Sequence, residues 1–130
     1  MVRHYKIIPE EALMIKVIEG QMTIQEMIDE SEEFFNDPLF DKSYYGVMDL
    51  RRAQSKVSKL EFFKYSRYLD ATGNLDQAKW AVITNSPILV ALSQVFQRVS
   101  RSGARIGVYN TVKKASEFIE RPTVHHYLND

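Results

Sequence analysis

Three short stretches bring together side chains that could bind or react. The apolar run Tyr45-Gly46-Val47-Met48 leads into Asp49-Leu50-Arg51-Arg52, so a carboxylate stands two residues from a guanidinium. Ser55 and Ser58 come next, and Thr84-Asn85-Ser86 and Asn110-Thr111 follow two later apolar runs. Arginines beside helix N-termini, whose first amides are free, would make an anion site. The alternative is structural: Asp49 bonded to Arg51, Arg52 or loop amides, with Ser58, Ser86 and Thr111 acting as helix caps. Either way, Asp49, Arg51, Arg52, Ser55, Ser58, Thr84, Asn85 and Ser86 are the candidate binding residues. Covalent catalysis lacks its parts. The histidines, His4, His125 and His126, lie near the two ends of the sequence, and only folding back of the last residues could give a serine a base. No Walker loop, Gly-x-Gly-x-x-Gly, Gly-x-Ser-x-Gly or His-Glu-x-x-His occurs. The His125-His126 pair has no acidic or thiol ligand at metal spacing, so neither a metal nor a cofactor is expected.

These residues fall at the ends of apolar segments, which suggests how they are positioned. Tyr5–Ile8 reads as a strand stopped by Pro9, and Ala12–Glu19 as a second one ended by Gly20, the pair forming an antiparallel hairpin. Leu13, Ile15 and Val17 alternate with Met14, Lys16 and Ile18, which makes one strand face wholly apolar. Thr23-Ile24-Gln25-Glu26 is a capping box, followed at helical spacing by Ile24, Met27, Ile28, Ser31, Phe34 and Phe35, with Glu30, Glu32 and Glu33 toward water. Tyr45–Leu50 is a buried strand with Arg51 and Arg52 at its polar tip. Ser58-Lys59-Leu60-Glu61 is a second capping box, and Leu60, Phe62, Phe63, Ser66 and Leu69 make the inward stripe of its helix, which closes at Gly73-Asn74.

Lys79–Thr84 is the next strand, with Trp80 at the sheet margin. Ser86-Pro87 starts a helix whose stripe is Ile88, Leu89, Leu92, Val95, Phe96 and Val99. Arg105–Tyr109 and a helix capped at Asn110-Thr111 complete the series. The order is ββαβαβαβα, an α/β fold with a mostly parallel sheet and an antiparallel N-terminal hairpin. One domain is expected over residues 1–130, with its core over about residues 3–121 and a tail from 122 to 130.

Charge is balanced overall, with 17 basic and 17 acidic residues, so no general basic field for nucleic acid is present. Its distribution is uneven. Glu10–Asp41 holds ten acids and one base, whereas Arg51–Arg67 holds six bases and one acid. These are either two solvated helix faces that attract each other or a bipolar surface that orients a partner. No run approaches the length of a membrane helix and no signal-peptide pattern opens the sequence, so a cytoplasmic protein without a transmembrane segment is expected. The absence of cysteine fits a reducing compartment.

The segments Val47-Met48-Asp49-Leu50, Ala81-Val82-Ile83 and Val108-Tyr109-Asn110-Thr111-Val112-Lys113-Lys114-Ala115, in the order ββαβαβαβα, resemble the STAS fold, and within it the small stand-alone SpoIIAA-like (STAS/Sec14-type) domains. The resemblance implies an α/β domain that binds rather than catalyses. Anti-sigma antagonists of that family carry an Asp-Ser-Ser/Thr-Gly signature at the second helix, where a hydroxyl is phosphorylated. The matching place here is Val57-Ser58-Lys59-Leu60, without the aspartate and the glycine. The expected function is therefore a non-enzymatic regulatory or protein-binding module that is not phospho-switched, acting on a protein partner or through self-association. The alternative is a carrier or sensor of a small apolar or lipid-like ligand, which the abundance of aromatic and Met residues would suit.

Overall fold

A computed structural model describes residues 1–130. Strand β1 (Val2–Ile8) turns through a short 3-10 segment, Pro9–Glu11, into β2 (Leu13–Met22). Helix α1 (Ile24–Phe35), strand β3 (Tyr45–Ser55), α2 (Lys59–Thr72), β4 (Trp80–Ile83), α3 (Pro87–Val99), β5 (Ile106–Tyr109) and α4 (Val112–Phe118) follow. The expected α/β order is present. The sheet runs β1-β2-β3-β4-β5, with β1 antiparallel to β2 and every later pair parallel.

Because each strand is added beside the one before it, every right-handed crossover travels the same way across the sheet. Their helices therefore share one face. The buried residues agree. Met27 and Phe34 of α1, Tyr65 and Leu69 of α2, and Leu89, Leu92 and Phe96 of α3 form one core with Met14, Ile18, Leu50 and Trp80. The opposite face packs Leu13, Ile15, Val47, Ala81 and Ile83 against Val112 and Ala115 of α4 and against Ile119 just after it.

The residues expected as a tail belong to this second core. They form a 3-10 helix, Pro122–His126, that buries Val124 completely and Leu128 nearly so. Arg121 Nε donates to the Glu11 carbonyl at 3.0 Å and the Tyr127 hydroxyl to the Glu11 carboxylate at 2.7 Å, which fixes this segment to the β1–β2 turn. Seven-residue α4 covers too little of the sheet alone, so the chain uses its next turns to finish the face.

Three expectations change. Strand β2 does not stop at Gly20 but runs to Met22, and β3 runs to Ser55, because the two continue to pair as Glu19↔Arg52 through Met22↔Ser55. Arg51 and Arg52 therefore lie inside a strand and not at its tip. One extra β3 residue sits between the pairs Val17↔Asp49 and Glu19↔Arg52, a β-bulge. Trp80 is in the core and not at the margin. Its cross-strand partner is Gly46, where a Cβ would meet the indole at 2.5 Å. Only glycine leaves room for that ring to lie across β3.

Candidate functional site

The predicted strand-end residues divide into local structural pairs. Asp49 is buried, and its Oδ1 accepts from the Arg51 amide at 3.1 Å and from Arg51 Nε at 2.9 Å. Its Oδ2 accepts from the Arg51 guanidinium at 2.9 Å. Residues two apart in a strand point to the same side, which puts these two side chains together. The carboxylate holds the Arg51 pKa above its ordinary value, although partial burial works against it. This is the structural alternative for Asp49: both of its oxygens and two of the guanidinium donors are used. Asp49→Ala should lower stability by about 1–3 kcal/mol, because Arg51 is left half-buried and unpaired. A denaturant midpoint equal to that of the wild type would remove the pair from the structural account.

The hydroxyls act likewise. Ser55 Oγ accepts from the Val57 amide at 3.1 Å. Ser58 and Glu61 complete a reciprocal capping box at 3.1 Å in each direction. Buried Thr84 accepts from the Ser86 amide at 3.1 Å, and Ser86 from the Leu89 amide as the cap of α3. Thr111 caps α4. Asn85 and Arg52 are exposed, and Arg52 has no ion-pair partner. The strand order never reverses, so no crevice opens between neighbouring strand ends as it does at a switch point. No three His, Asp or Glu side chains converge as metal ligands would. The last segment does fold back, and His125 Nε2 comes to 3.3 Å from Ser116 Oγ. That serine already donates its proton to the Lys113 carbonyl at 2.8 Å, and no carboxylate orients the imidazole.

Two other places are unusual. The first is the outer surface of α2 and α3. Leu60 and Phe63, expected inward, are exposed, as are Ile88 and Val99. The reason is register. Tyr65, Ser66 and Leu69 take the inward face of α2, which turns Leu60, Phe63, Lys64 and Arg67 out at i, i+3, i+4 and i+7. On α3, Leu89, Leu92, Ser93 and Phe96 face in, and Ile88, Ala91, Val95 and Val99 run along the other side. Its 13 residues include one charge, Arg98, so α3 is apolar nearly all round, the pattern of a covered helix.

The bases around this surface have no acidic partner, although Arg67 lies over the Phe63 ring at 5.9 Å. Lys56, Lys59, Lys64 and Arg67 form no ion pair, although α1 packs beside α2. Three of the five acids of α1 are engaged elsewhere, Glu33 with Arg3, Glu26 with the Met1 ammonium and Glu30 with Lys16. Of the two readings of the charge runs, mutual attraction is not carried by direct ion pairs.

The second place is a cavity of about 110 Å³ between α1–α3 and the sheet, with 18 of its 22 lining residues hydrophobic. Lys16, Glu30, Ser31 and Ser93 are the other four, all buried, and the buried Tyr65 adds a hydroxyl to the wall. Lys16 Nζ meets Glu30 at 2.7 Å and 2.8 Å and lies 4.5 Å from the centre of the Phe34 ring. Ser31 and Tyr65 share a 2.6 Å hydrogen bond that ties α1 to α2. Burial lowers the Lys16 pKa, with the Glu30 charge and hydrogen bond acting against it, and burial raises that of Tyr65. Glu30 does not face water as its neighbours do. It follows Met27 by three residues and precedes Phe34 by four, so the inward stripe of α1 passes through it.

No helix is long and apolar enough to cross a membrane. Neither a protein-family model nor a curated protein matches the chain.

Proposed function

We propose that the protein is a non-enzymatic, STAS-like binding module of the cytoplasm whose outer α2–α3 face receives an acidic amphipathic helix of a protein partner. The observation that carries this reading is the pairing on one surface of an outward apolar stripe with bases that form no ion pair. Ile88, Ala91, Val95 and Val99 run along α3, and Leu60 and Phe63 stand on α2 beside Lys59, Lys64 and Arg67. A helix that lays its leucines on the first set reaches the second with its glutamates. An anionic membrane is disfavoured because the exposed Asp29, Glu32 and Glu33 of α1 lie on the same side of the sheet as α2 and α3. The carrier reading is less well supported, since a cavity of about 110 Å³ lies below the roughly 300 Å³ of ordinary small-molecule pockets.

The test uses synthetic helices with one leucine stripe, flanked either by glutamates or by lysines. The glutamate peptide should bind the wild type with an affinity that falls as salt rises. The lysine peptide should bind at least about tenfold more weakly. Phe63→Asp combined with Ile88→Asp, both at exposed positions, should abolish binding with the fold intact. Equal binding of the two peptides, binding that survives the double substitution, or capture of the protein by anionic vesicles instead would overturn the reading.

A further inference from the structure

We propose that the internal cavity is a separate binding site for a small, neutral, ring-sized molecule carrying one hydroxyl, with the chemistry of phenol. It shares no residue with the outer face, so either site can fail without the other.

Size sets the upper limit. An engineered apolar cavity of about 150 Å³ takes up benzene, and at about 110 Å³ this one has room for a single ring and little more. The wall sets the body of the ligand. Phe34, Trp80, Phe96, Met27, Met48 and Leu92 offer aromatic, thioether and aliphatic contacts on opposite sides. Ordered water needs two to four polar partners around it, whereas the polar groups here are confined to a few points of an otherwise apolar lining.

Those points have capacity left over. Both Glu30 oxygens accept from Lys16, yet a carboxylate has about four lone-pair sites, so two remain for an incoming O–H. Ser31 and Tyr65 share one hydrogen bond between two hydroxyls, which leaves one proton without an acceptor. Ser93 lines the cavity from α3. No buried side-chain oxygen or nitrogen is left without a partner, so this is spare capacity and not unmet demand. A ligand hydroxyl that donates to Glu30 and accepts from Ser93 or from the Ser31–Tyr65 pair would use it. The Lys16–Glu30 pair is neutral as a unit. A charged ligand would add an uncompensated charge to a buried site and be refused. A plain hydrocarbon would fill the space but leave the hydroxyls as they are.

The experiment titrates the full chain with phenol, benzene and benzoate. Trp80 is the only tryptophan and lines the cavity, so its fluorescence reports occupancy, and amide NMR shifts locate it. Phenol should bind saturably with shifts at Leu69, Leu92 and Phe96, about fivefold more tightly than benzene, the worth of one net hydrogen bond. Benzoate should not bind. Ser93→Leu, which puts an isobutyl group into the space, should abolish the phenol signal. The proposal is overturned if phenol gives no saturable change, if benzene binds as tightly, if benzoate competes, or if a folded Ser93→Leu variant still binds phenol. The ligand series on the wild-type protein decides the matter even if that variant does not fold.

Discussion

Replacing Glu30 by Leu should lower the unfolding free energy by about 3–5 kcal/mol, while Lys16→Met with Glu30→Leu should return stability to near the wild-type value or above it. The asymmetry follows from where the two groups lie. Lys16 is 3% exposed in the middle of β2 and Glu30 is 5% exposed on α1, with apolar side chains around both. Each charge is tolerable only because the other is within 2.8 Å. Removing the carboxylate alone takes away the interactions that hold the Lys16 pKa up, and burial then drives the ammonium toward its neutral form. Removing both leaves well-matched apolar volume and no stranded charge. The pH dependence has a definite sign. A lysine with a depressed folded-state pKa binds fewer protons folded than unfolded, so the single variant should gain stability as pH rises toward the free-lysine value of about 10.4. Urea titrations of the two variants at pH 7 and pH 10 measure this. A single variant with an unchanged midpoint would show that Lys16 reaches solvent and that the pair is not closed.

Truncation after Arg121 should cost about 3–6 kcal/mol, from the burial of two aliphatic side chains alone. Val124 and Leu128 leave the second core, and Leu13, Ile15 and Ile119, now fully buried or nearly so, meet water. The Tyr127–Glu11 hydrogen bond is lost with them. Against the roughly 5–15 kcal/mol that stabilises a domain of ordinary size, the shortened protein should be largely unfolded at 37 °C. Val124→Asp is the point version and should approach the same result by placing a carboxylate where there is no partner. A truncated chain that keeps its melting temperature would mean that α4 covers the face unaided.

What could be read in advance followed the strength of each local pattern. Thr23 with Glu26 and Ser58 with Glu61 are reciprocal in sequence and reciprocal in space, because a capping box is decided within four residues. The strand–helix alternation carried the architecture for the same reason. The extent of β3 was not legible. Arg51, Arg52 and Gln54 look like a loop, and they are held as strand only by pairing with β2, some 30 residues earlier in the chain. The α2 register was ambiguous, since Leu60, Phe62, Phe63 and Tyr65 cover more than one face and the choice lies with what α1 and α3 leave open. The buried pair did leave a trace. Lys16 interrupts an apolar run whose two faces are both needed by the core, and Glu30 falls on the stripe Met27–Phe34. A lone base inside one stripe and a lone acid inside the next are together a sign of contact, whereas either one alone reads as a solvated charge.

The order of strands in the sheet matches their order in the chain, and this bears on how the protein is made. Each strand that leaves the ribosome finds its neighbour already present, one crossover back, so the sheet and its α1–α3 cover can form progressively during synthesis. The opposite face cannot. Leu13, Ile15, Val47 and Ala81 wait for α4 and then for Val124 and Leu128, and contacts such as Tyr127 with Glu11 close over a separation of 116 residues. A nascent chain thus carries a half-covered, largely β-branched and aliphatic surface until Leu128 has emerged. That interval, rather than any slow step in the sheet, is when a holdase chaperone would have most to shield.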